Sequence, residues 1–547
     1  LEFVKAVEEN FRLMVLEVTK QLEDTLKLLG AYSKQLAEKV RNRDDYIDSM
    51  KNIVENKNFS SVAGREKVDK KTLHNMWAVN TIVHNLEHVA DLAVNIADQA
   101  GYFSEADYIK KYDYPEYFKK ILDAVSLVPK ALFSGSINQA LKICSVEYEV
   151  DAMYAQDLKH IIEEMRFSRE AGNMVTSIFI LQCAERMGDS ILNMGEAIIS
   201  LVMGERMKIR QFQALENTLS TAEEKQRISE FSLESVGDTR SGSTIRKVFE
   251  PGGDQSSSKW VVFKEGLTSK LAKEKENMEA WEKIEQGLPP GIFGYQANGR
   301  TASIILEYLS GRNMKDVVIN EKSANVKEAM GLVKSTLERV WTRTLKRQQT
   351  KAMYMEQLAS RIGDVYRVHP DFLHSESRIG GLEVPSFEEM LKTAVQIEKK
   401  LEAPFSTFIH GDFNIDNIIY NAAEKRINFI DLHRSSNNDY VQDVSVFIVS
   451  NFRMPFFEPT VRKKLNWVIN DFYDFAAEFA RKNGDATFDA RLAFGLIRSF
   501  LTSTRFEFNG EFAKIMYLRS VYLTEKIIAH GAGPWDEFYV QKDIFTY

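Results

Sequence analysis

Across residues 1–215 apolar side chains return every three or four positions, the spacing of a helix that buries one face. Proline, which removes a backbone donor and kinks a helix, interrupts this stretch only at Pro115 and Pro129. The pattern predicts an almost wholly helical region, and one built twice. Leu86-Glu-His-Val-Ala-Asp-Leu-Ala-Val-Asn-Ile-Ala-Asp98 realigns with Ala184-Glu-Arg-Met-Gly-Asp-Ser-Ile-Leu-Asn-Met-Gly-Glu196. Upstream, Asp44-Asp-Tyr-Ile-Asp-Ser-Met50 realigns with Glu147-Tyr-Glu-Val-Asp-Ala-Met153. Both matches recur after about a hundred residues, the mark of a tandem repeat. Two three-helix units forming a six-helix assembly of bundle type are expected.

After residue 215 the pattern changes. Residues 216–234 are polar, helical at first and then broken, which reads as a linker. From Ser235 onward Gly237, Gly242, Gly252 and Gly253 punctuate short β-rich runs at 245–249 and 259–263. A helical pattern follows over 268–286, then a strand over 302–308 and a loop at Ser310-Gly311. Residues 322–402 read mostly as helix, broken between Pro370 and Pro385. Two short apolar runs, 407–410 and 427–431, flank a loop, and the chain is helical again from about 441 to 528. A small β-rich lobe over 235–312 followed by a larger helical lobe over 313–547 is an α+β arrangement. The fold class expected for the whole chain is therefore multidomain, all-α and then α+β.

The chain has 547 residues, room for several domains at roughly 100–200 residues each. Hydrophobic residues make up 44% and charged residues 27%, enough apolar material for more than one core. A formal net charge of −7 argues against a general nucleic-acid binder, which needs a basic field. Cys144 and Cys183 sit in apolar helical contexts and read as buried thiols, not as a disulfide framework, so a reducing compartment is expected. No apolar run reaches the roughly 18 residues that span a bilayer, and no secretory pattern opens the chain. The expected location is cytoplasmic, peripheral to the inner face of the membrane only through partners. The chain opens at Leu1 and not at Met, so further residues are expected before it.

Four acidic pairs share one spacing in the helical half: Asp44/Asp48, Glu87/Asp91, Glu147/Asp151 and Glu185/Asp189. Residues i and i+4 lie on one helix face, where like charges repel. Any single pair is ordinary on a solvated face. Four pairs at repeat-matched positions in apolar helices call for counter-charge, and a metal ion supplies it to hard oxygen ligands. Ala90 and Gly188, at matched places within two pairs, are small enough to admit a neighbouring helix or ion. His88 is a candidate extra ligand, although a partly buried His outside the metal shell is the simpler reading.

These residues resemble the PhoU family of phosphate-uptake regulators, whose signature is paired acidic motifs of the form Glu185-Arg-Met-Gly-Asp189. The resemblance covers roughly residues 5–210 and implies a tandem repeat of three-helix bundles. It also implies a multinuclear metal cluster (Fe, Mn or Zn) held by the eight carboxylates, and a regulatory role alongside phosphate-transport or sensor-kinase proteins, with a homo-oligomer among the expected partners. Asp44 departs from it, since a Glu is more usual there.

The sharpest chemical motif is Phe408-Ile-His-Gly-Asp-Phe-Asn-Ile-Asp-Asn-Ile-Ile419, followed by Arg426-Ile-Asn-Phe-Ile-Asp-Leu-His433. Phosphoryl transfer from ATP needs a carboxylate to orient and deprotonate the acceptor, oxygens to hold Mg²⁺, a lysine on the phosphates and a loop to cover them. Asp412 is the candidate base, Asn417 and Asp431 the candidate Mg²⁺ ligands. Lys264 closes the run Trp260-Val-Val-Phe-Lys264 and Glu274, in the next helix, is its candidate ion-pair partner; Glu276 competes for that place. Glu274, Met278 and Trp281 form one inward stripe. The turn Asp238-Thr-Arg-Ser-Gly-Ser243, with Ser241, Gly242 and Ser243, can cradle phosphates, although such a turn in a hairpin is usually only a turn. The strand from Ile305 through Glu307 to Leu309 is a candidate adenine-binding hinge.

The motif His-Gly-Asp-x-x-x-x-Asn, then a strand and Asp, resembles the aminoglycoside phosphotransferase and choline-kinase group over about residues 232–530. That resemblance implies a two-lobed kinase-like fold, ATP at the cleft and a small-molecule acceptor hydroxyl. It also makes Asp443 the residue that opens the next helix and braces the catalytic loop. Gly411 stands where protein kinases usually carry Arg. The continuation Asp431-Leu-His-Arg is unusual for the group and puts a second metal in doubt. It also brings lipopolysaccharide-sugar kinases, which share the fold and loop, into consideration. Arg498, Arg505 and Arg519 lie in late helices. They read as solvated or salt-bridged arginines, or as a cationic wall that would favour an anionic acceptor.

Overall fold

The computed structural model describes residues 7–60, 68–167, 170–204, 206–221, 232–235, 244–249, 261–373, 377–379, 382–531 and 533–547. Contacts divide the chain into two compact units. The first is Leu1–Glu265 with Gly294–Gln296 and Ser303–Ile305; the second is Gly266–Phe293, Ala297–Ala302 and Leu306–Tyr547.

The first unit opens with the predicted repeat. Helices α1 (Glu8–Gly30), α2 (Lys34–Ser60) and α3 (Lys70–Ala100) are followed by α4 (Tyr114–Ser134), α5 (Ile137–Met165) and α6 (Ala171–Met203). Local chemistry sets their ends. Asp69, Asp113 and Ser136 cap α3, α4 and α5 by accepting from backbone N–H groups of the first turn. Gly135 and Gly204 end α4 and α6 in the left-handed conformation. Phe11, Val18 and Leu22 of α1, Ile82 and Leu86 of α3, Phe118 and Val125 of α4 and Ile191 of α6 are all fully buried in one apolar cluster. The three-residue and four-residue periodicity thus buries as predicted. A seventh helix, α7 (Ile209–Thr221), runs into the predicted linker, and strand β1 (Ser232–Ser235) begins before its end. Strands β2 (Thr244–Phe249) and β3 (Val261–Leu267) follow, and Lys264 stands opposite Ile245 in the antiparallel register. The sheet order is β1-β2-β3-β5-β4, with β4 (Ile292–Asn298) and β5 (Thr301–Glu307).

Glycine sets the approach of α5 to α6. A Cβ on Gly188 would meet Val150 at 3.4 Å, an ordinary contact, whereas one on Gly195 would lie 2.4 Å from Cys144 Sγ and 3.0 Å from the Ala140 carbonyl oxygen. Cys144 is fully buried and unpaired, and burial pushes its thiol up to about 12, so it acts as packing and not as a nucleophile. Gly195→Ala is expected to cost about 1–3 kcal/mol through overpacking against backbone. Gly188→Ala is expected to be neutral or stabilising by up to about 1 kcal/mol of helix propensity. Denaturant unfolding of the two variants side by side checks the contrast.

The second unit contains helix α8 (Thr268–Ile284), short strand β6 (Arg312–Asn313) and helices α9 (Met314–Asn320), α10 (Ser323–Thr344), α11 (Tyr354–Ala359) and α12 (Ile362–Val368). After the small hairpin β7 (Ser377–Ile379) and β8 (Leu382–Val384) comes α13 (Phe387–Glu398), begun by a Ser386/Glu389 capping box. Strands β9 (Thr407–Ile409), β10 (Ile418–Asn421), β11 (Arg426–Phe429) and β12 (Ser436–Asn438) precede α14 (Val441–Phe452), α15 (Pro459–Lys482), α16 (Phe488–Thr504) and α17 (Gly510–His530). β10 pairs antiparallel with β11 and with β6, and β9 with β12. The pattern of apolar positions does not announce β6 or β12. They are two- and three-residue strands that exist because a partner strand lies beside them. Among the described residues no helix is long and apolar enough to cross a membrane.

Candidate active site and carboxylate clusters

The loop that carries Asp412 leaves the fully buried end of β9. His410 is wholly buried; its Nε2 bonds the Ile430 carbonyl oxygen at 3.0 Å, and its Nδ1 accepts from the Asp412 N–H at 3.3 Å. Burial lowers the His410 pKa, so the ring is neutral, with Nε2 as donor and Nδ1 as acceptor. Gly411 has φ +81°, and a Cβ there would lie 2.3 Å from the Arg434 carbonyl oxygen, so only glycine fits. Asp443, at the start of α14, accepts from the N–H groups of His410 and Gly411, both at 2.8 Å. Burial pushes its carboxyl up to about 7 against those two donors. It braces the loop as expected.

The loop then folds back on itself. Asn417 Nδ2 donates to the Asp412 carbonyl oxygen at 2.9 Å, and the Ile430 N–H donates to the Asn417 carbonyl oxygen at 3.0 Å. The committed amide nitrogen leaves the Asn417 side-chain oxygen as the group that can meet a cation. Asp431 follows Ile430 with φ +61°, a left-handed conformation uncommon for a residue other than glycine and typical of sites where backbone strain serves function. Asp412, Asn417 and Asp431 are thus gathered by two crossings of the same backbone, at His410–Ile430 and Asn417–Ile430.

The unusual Leu-His-Arg continuation has a separate use for each residue. Leu432 is buried, and its carbonyl oxygen accepts from Asn277 Nδ2 of α8 at 2.7 Å. His433 Nδ1 lies 3.3 Å from Asp431 Oδ1. Arg434 Nη1 donates to Asp412 Oδ2 at 3.1 Å, while Asn414 Nδ2 holds Oδ1 at 2.5 Å, so both oxygens of the candidate base are oriented. Trp281 Nε1 of α8 donates to Ser435 Oγ at 2.8 Å. The α8 stripe of Glu274, Met278 and Trp281 is buried, and Glu276 is exposed beside Lys273 at 3.2 Å. Burial therefore separates the two glutamates that the sequence left in competition.

Of the other candidates, Lys264 is 3% exposed on β3 of the first unit. Glu307 ends β5, and its N–H and carboxylate bond the carbonyl and N–H of Gly291 at 2.8 and 2.9 Å; Leu309 follows two residues on. Ser241, Gly242 and Ser243 lie outside the described residues. Arg519 donates to the carbonyl oxygens of Asp543, Ile544 and Thr546, which ties down the end of the chain and removes it from any acceptor wall.

In the helical half the four acidic pairs meet two by two. Asp44 and Asp48 on α2 face Glu87 and Asp91 on α3, and Glu147 and Asp151 on α5 face Glu185 and Asp189 on α6. Burial pushes Asp44 up to about 6, helped by the charges of Asp91, Asp48 and Glu87 and opposed by a hydrogen bond from Gln21. Burial and neighbouring carboxylates also raise Glu147, Glu185 and Asp189. Glu147 Oε2 is buried without a hydrogen-bond partner, while Glu87 has Lys51 Nζ at 3.0 Å. Among the described residues no group of three or more His, Cys, Asp and Glu side chains stands ready-formed around a metal position. The donor set suits a hard cation, but its side chains are not closed around one. A carboxyl whose folded pKa is raised contributes stability at low pH that is lost as pH rises, here from about 4 in the unfolded chain through about 6. Asp44→Asn removes that loss. It is expected to raise the melting temperature of metal-free protein at pH 7 and to leave it unchanged at pH 4, as read by thermal unfolding in the presence of a chelator.

Residues 11–100 and 115–198 match the PhoU domain family, and residues 267–486 match the phosphotransferase enzyme family. The chain carries a PhoU domain in its N-terminal half and a phosphotransferase-family domain in its C-terminal part. A phosphate-specific transport system accessory protein PhoU homolog of Clostridium acetobutylicum is 25% identical over 195 residues, 35% of this chain and 88% of that protein. Among solved structures, PhoU from Pseudomonas aeruginosa is 23% identical over 37% of this chain and 98% of its own, with a TM-score of 0.33. Choline kinase from Cryptosporidium parvum Iowa II is 10% identical over 57% of this chain and 94% of its own, with a TM-score of 0.34.

Proposed function

For a chain that joins a PhoU domain to a phosphotransferase-family domain, we propose an ATP- and Mg²⁺-dependent kinase acting on the hydroxyl of a small molecule. Its helical half is a metal-dependent regulator of phosphate uptake or signalling. The observation that carries this reading is the double crossing at Ile430, which gathers a carboxylate, an amide oxygen and a second carboxylate on one stretch of backbone. Asp412 aligns the acceptor hydroxyl and takes its proton. The acceptor oxygen forms a bond to the γ-phosphorus as the bond to the ADP oxygen breaks. Asn417 and Asp431 would hold Mg²⁺ through their two hard side-chain oxygens. The ion supplies charge neutralisation on the phosphates. Lys264 is assigned the phosphate-pairing role, and the backbone from Glu307 to Leu309 the adenine.

The eight carboxylates of the helical half are assigned to bound Fe, Mn or Zn. Phosphate-transport or sensor-kinase proteins, and further copies of the chain, are assigned as partners at the cytoplasmic face. The raised carboxyls and the unpartnered Glu147 oxygen support a bound cation.

The Arg434–Asp412 ion pair favours a second reading, a nucleotide-binding regulator without turnover, because it neutralises the candidate base. One experiment separates the two. The protein is incubated with labelled ATP and Mg²⁺ against a cell extract of small molecules and proteins, and labelled products are identified. A labelled small molecule supports the kinase; ATP binding with no labelled product supports the regulator. Metal analysis after reconstitution tests the helical half, and no retained transition metal would sink the cluster.

A further inference from the structure

Arg361, Arg434 and Arg498 of the second unit feel or pair with Asp412, Arg505 lies in the neighbourhood of Arg361, and the chemistry above uses none of the four on substrate. Arg361, just before α12, is half-buried. Among the described residues its guanidinium has no carboxylate partner. The charges it feels are those of Arg434 and Arg505, both of its own sign, and then of Asp412. Arg498 is 6% exposed; it feels Arg361 and Arg434 as well as Asp412, and its Nε is buried with no hydrogen-bond partner. Its other nitrogens go to neutral oxygens, Gln357 at 3.2 Å and Ser499 at 3.0 Å. Among the described residues the buried carboxyls of Glu398 and Asp443 feel Arg498, and two further carboxylates pair with arginines around it. Asp412 takes Arg434 at 3.1 Å, and the exposed Asp364 is shared between Arg505 at 3.5 Å and Arg367 at 3.2 Å.

A guanidinium does not lose its proton in a protein, so like charges gathered this way are neutralised only by an anion. Planar guanidinium forks match phosphate and carboxylate oxygens two at a time. Resting on the phosphotransferase reading, we propose that the acceptor is an anionic alcohol whose phosphate or carboxylate group binds Arg361, Arg434 and Arg505 while its hydroxyl faces Asp412. The same contact draws Arg434 away from Asp412 and frees the base when the correct acceptor arrives, so specificity and activation share one side chain.

The test is ADP release from Mg-ATP with two matched series of alcohols. The first is glycerol, choline, glycerol 3-phosphate and glycerate; the second is glucose, glucosamine, glucose 6-phosphate and gluconate. The phosphate and carboxylate members tell which anion is read. The expected result is a kcat/KM for an anionic member at least about tenfold above its neutral and cationic counterparts. Arg361→Gln is expected to remove most of that ratio through KM, and Arg361→Lys, which keeps the charge, to restore part of it. Preference for a neutral or cationic member, or an unchanged ratio in Arg361→Gln, overturns the inference and leaves the kinase standing. ATP binding without transfer to any member of either series counts against the kinase itself, and the inference falls with it.

Discussion

Asp412→Asn is expected to lower turnover by about 10²–10⁴-fold, the usual worth of a positioned general base, with ATP affinity close to that of the parent. The substitution keeps shape and the bond from Asn414 but removes the atom that takes the acceptor proton. It also releases Arg434 from its ion pair, but that side chain is 52% exposed and is solvated, so the loss cannot be assigned to a new buried charge. Asn417 does not depend on the Asp412 side chain, because it is tied to the Asp412 carbonyl oxygen. Rates of labelled product formation, set beside calorimetric titration with Mg-ATP, separate chemistry from binding. Parent-like turnover in this variant would show that another group takes the proton.

Arg491→Met is expected to cost about 3–5 kcal/mol of stability in the second unit, the largest loss foreseen for a single substitution. Arg491 forms ion pairs with Asp439 and Asp485, and all three side chains are buried. Tyr440 donates to Asp485 at 2.7 Å, and Asp439 caps the turn into α14 through the Val441 N–H at 3.1 Å. Removing the cation leaves two buried carboxylates without their counter-charge, in a place where burial raises Asp439. Asp439 must then take up a proton on folding, so the variant gains stability at low pH and loses it as pH rises through the raised folded value of Asp439. Because α14 also carries Asp443, activity should fall with stability. Denaturant unfolding at pH 5 and pH 8 reads both effects. The triple variant Asp439→Asn, Arg491→Met, Asp485→Asn should recover much of the loss, and failure to recover would place the cost in packing.

The helical repeat was legible because its cause is local. A residue every three or four positions faces the core regardless of what the rest of the chain does, and Phe11, Ile82, Phe118 and Ile191 are buried accordingly. The caps at Asp69, Asp113 and Ser136 are local as well. The phosphotransferase motif was legible for a related reason. The loop from His410 to Asn417 is eight residues long and closes on itself, so its spacing nearly fixes its geometry. The choice of Glu274 over Glu276 rested in sequence on one stripe with Met278 and Trp281. Both sit in a charged stretch of α8, and the burial of Glu274, Met278 and Trp281 decides that this stripe is the inward face. Arg361 gave no signal at all, since a single arginine before a short helix carries no pattern. The partners of Arg519, the carbonyl oxygens of residues 543, 544 and 546, are backbone groups with no mark in sequence.

From its order of residues alone this protein declared two repeated helical units, eight paired carboxylates and the segment that holds Asp412, Asn417 and Asp431. Those features depend on spacing within one or two turns of chain, which sequence records directly. The tertiary fold alone decided that Arg434 orients Asp412, that Asp443 holds two loop N–H groups, and that arginines from positions 361, 434, 498 and 505 share one neighbourhood. Charge and hydrogen bonding act through space. Residues more than a hundred positions apart become partners only after the core has closed around them.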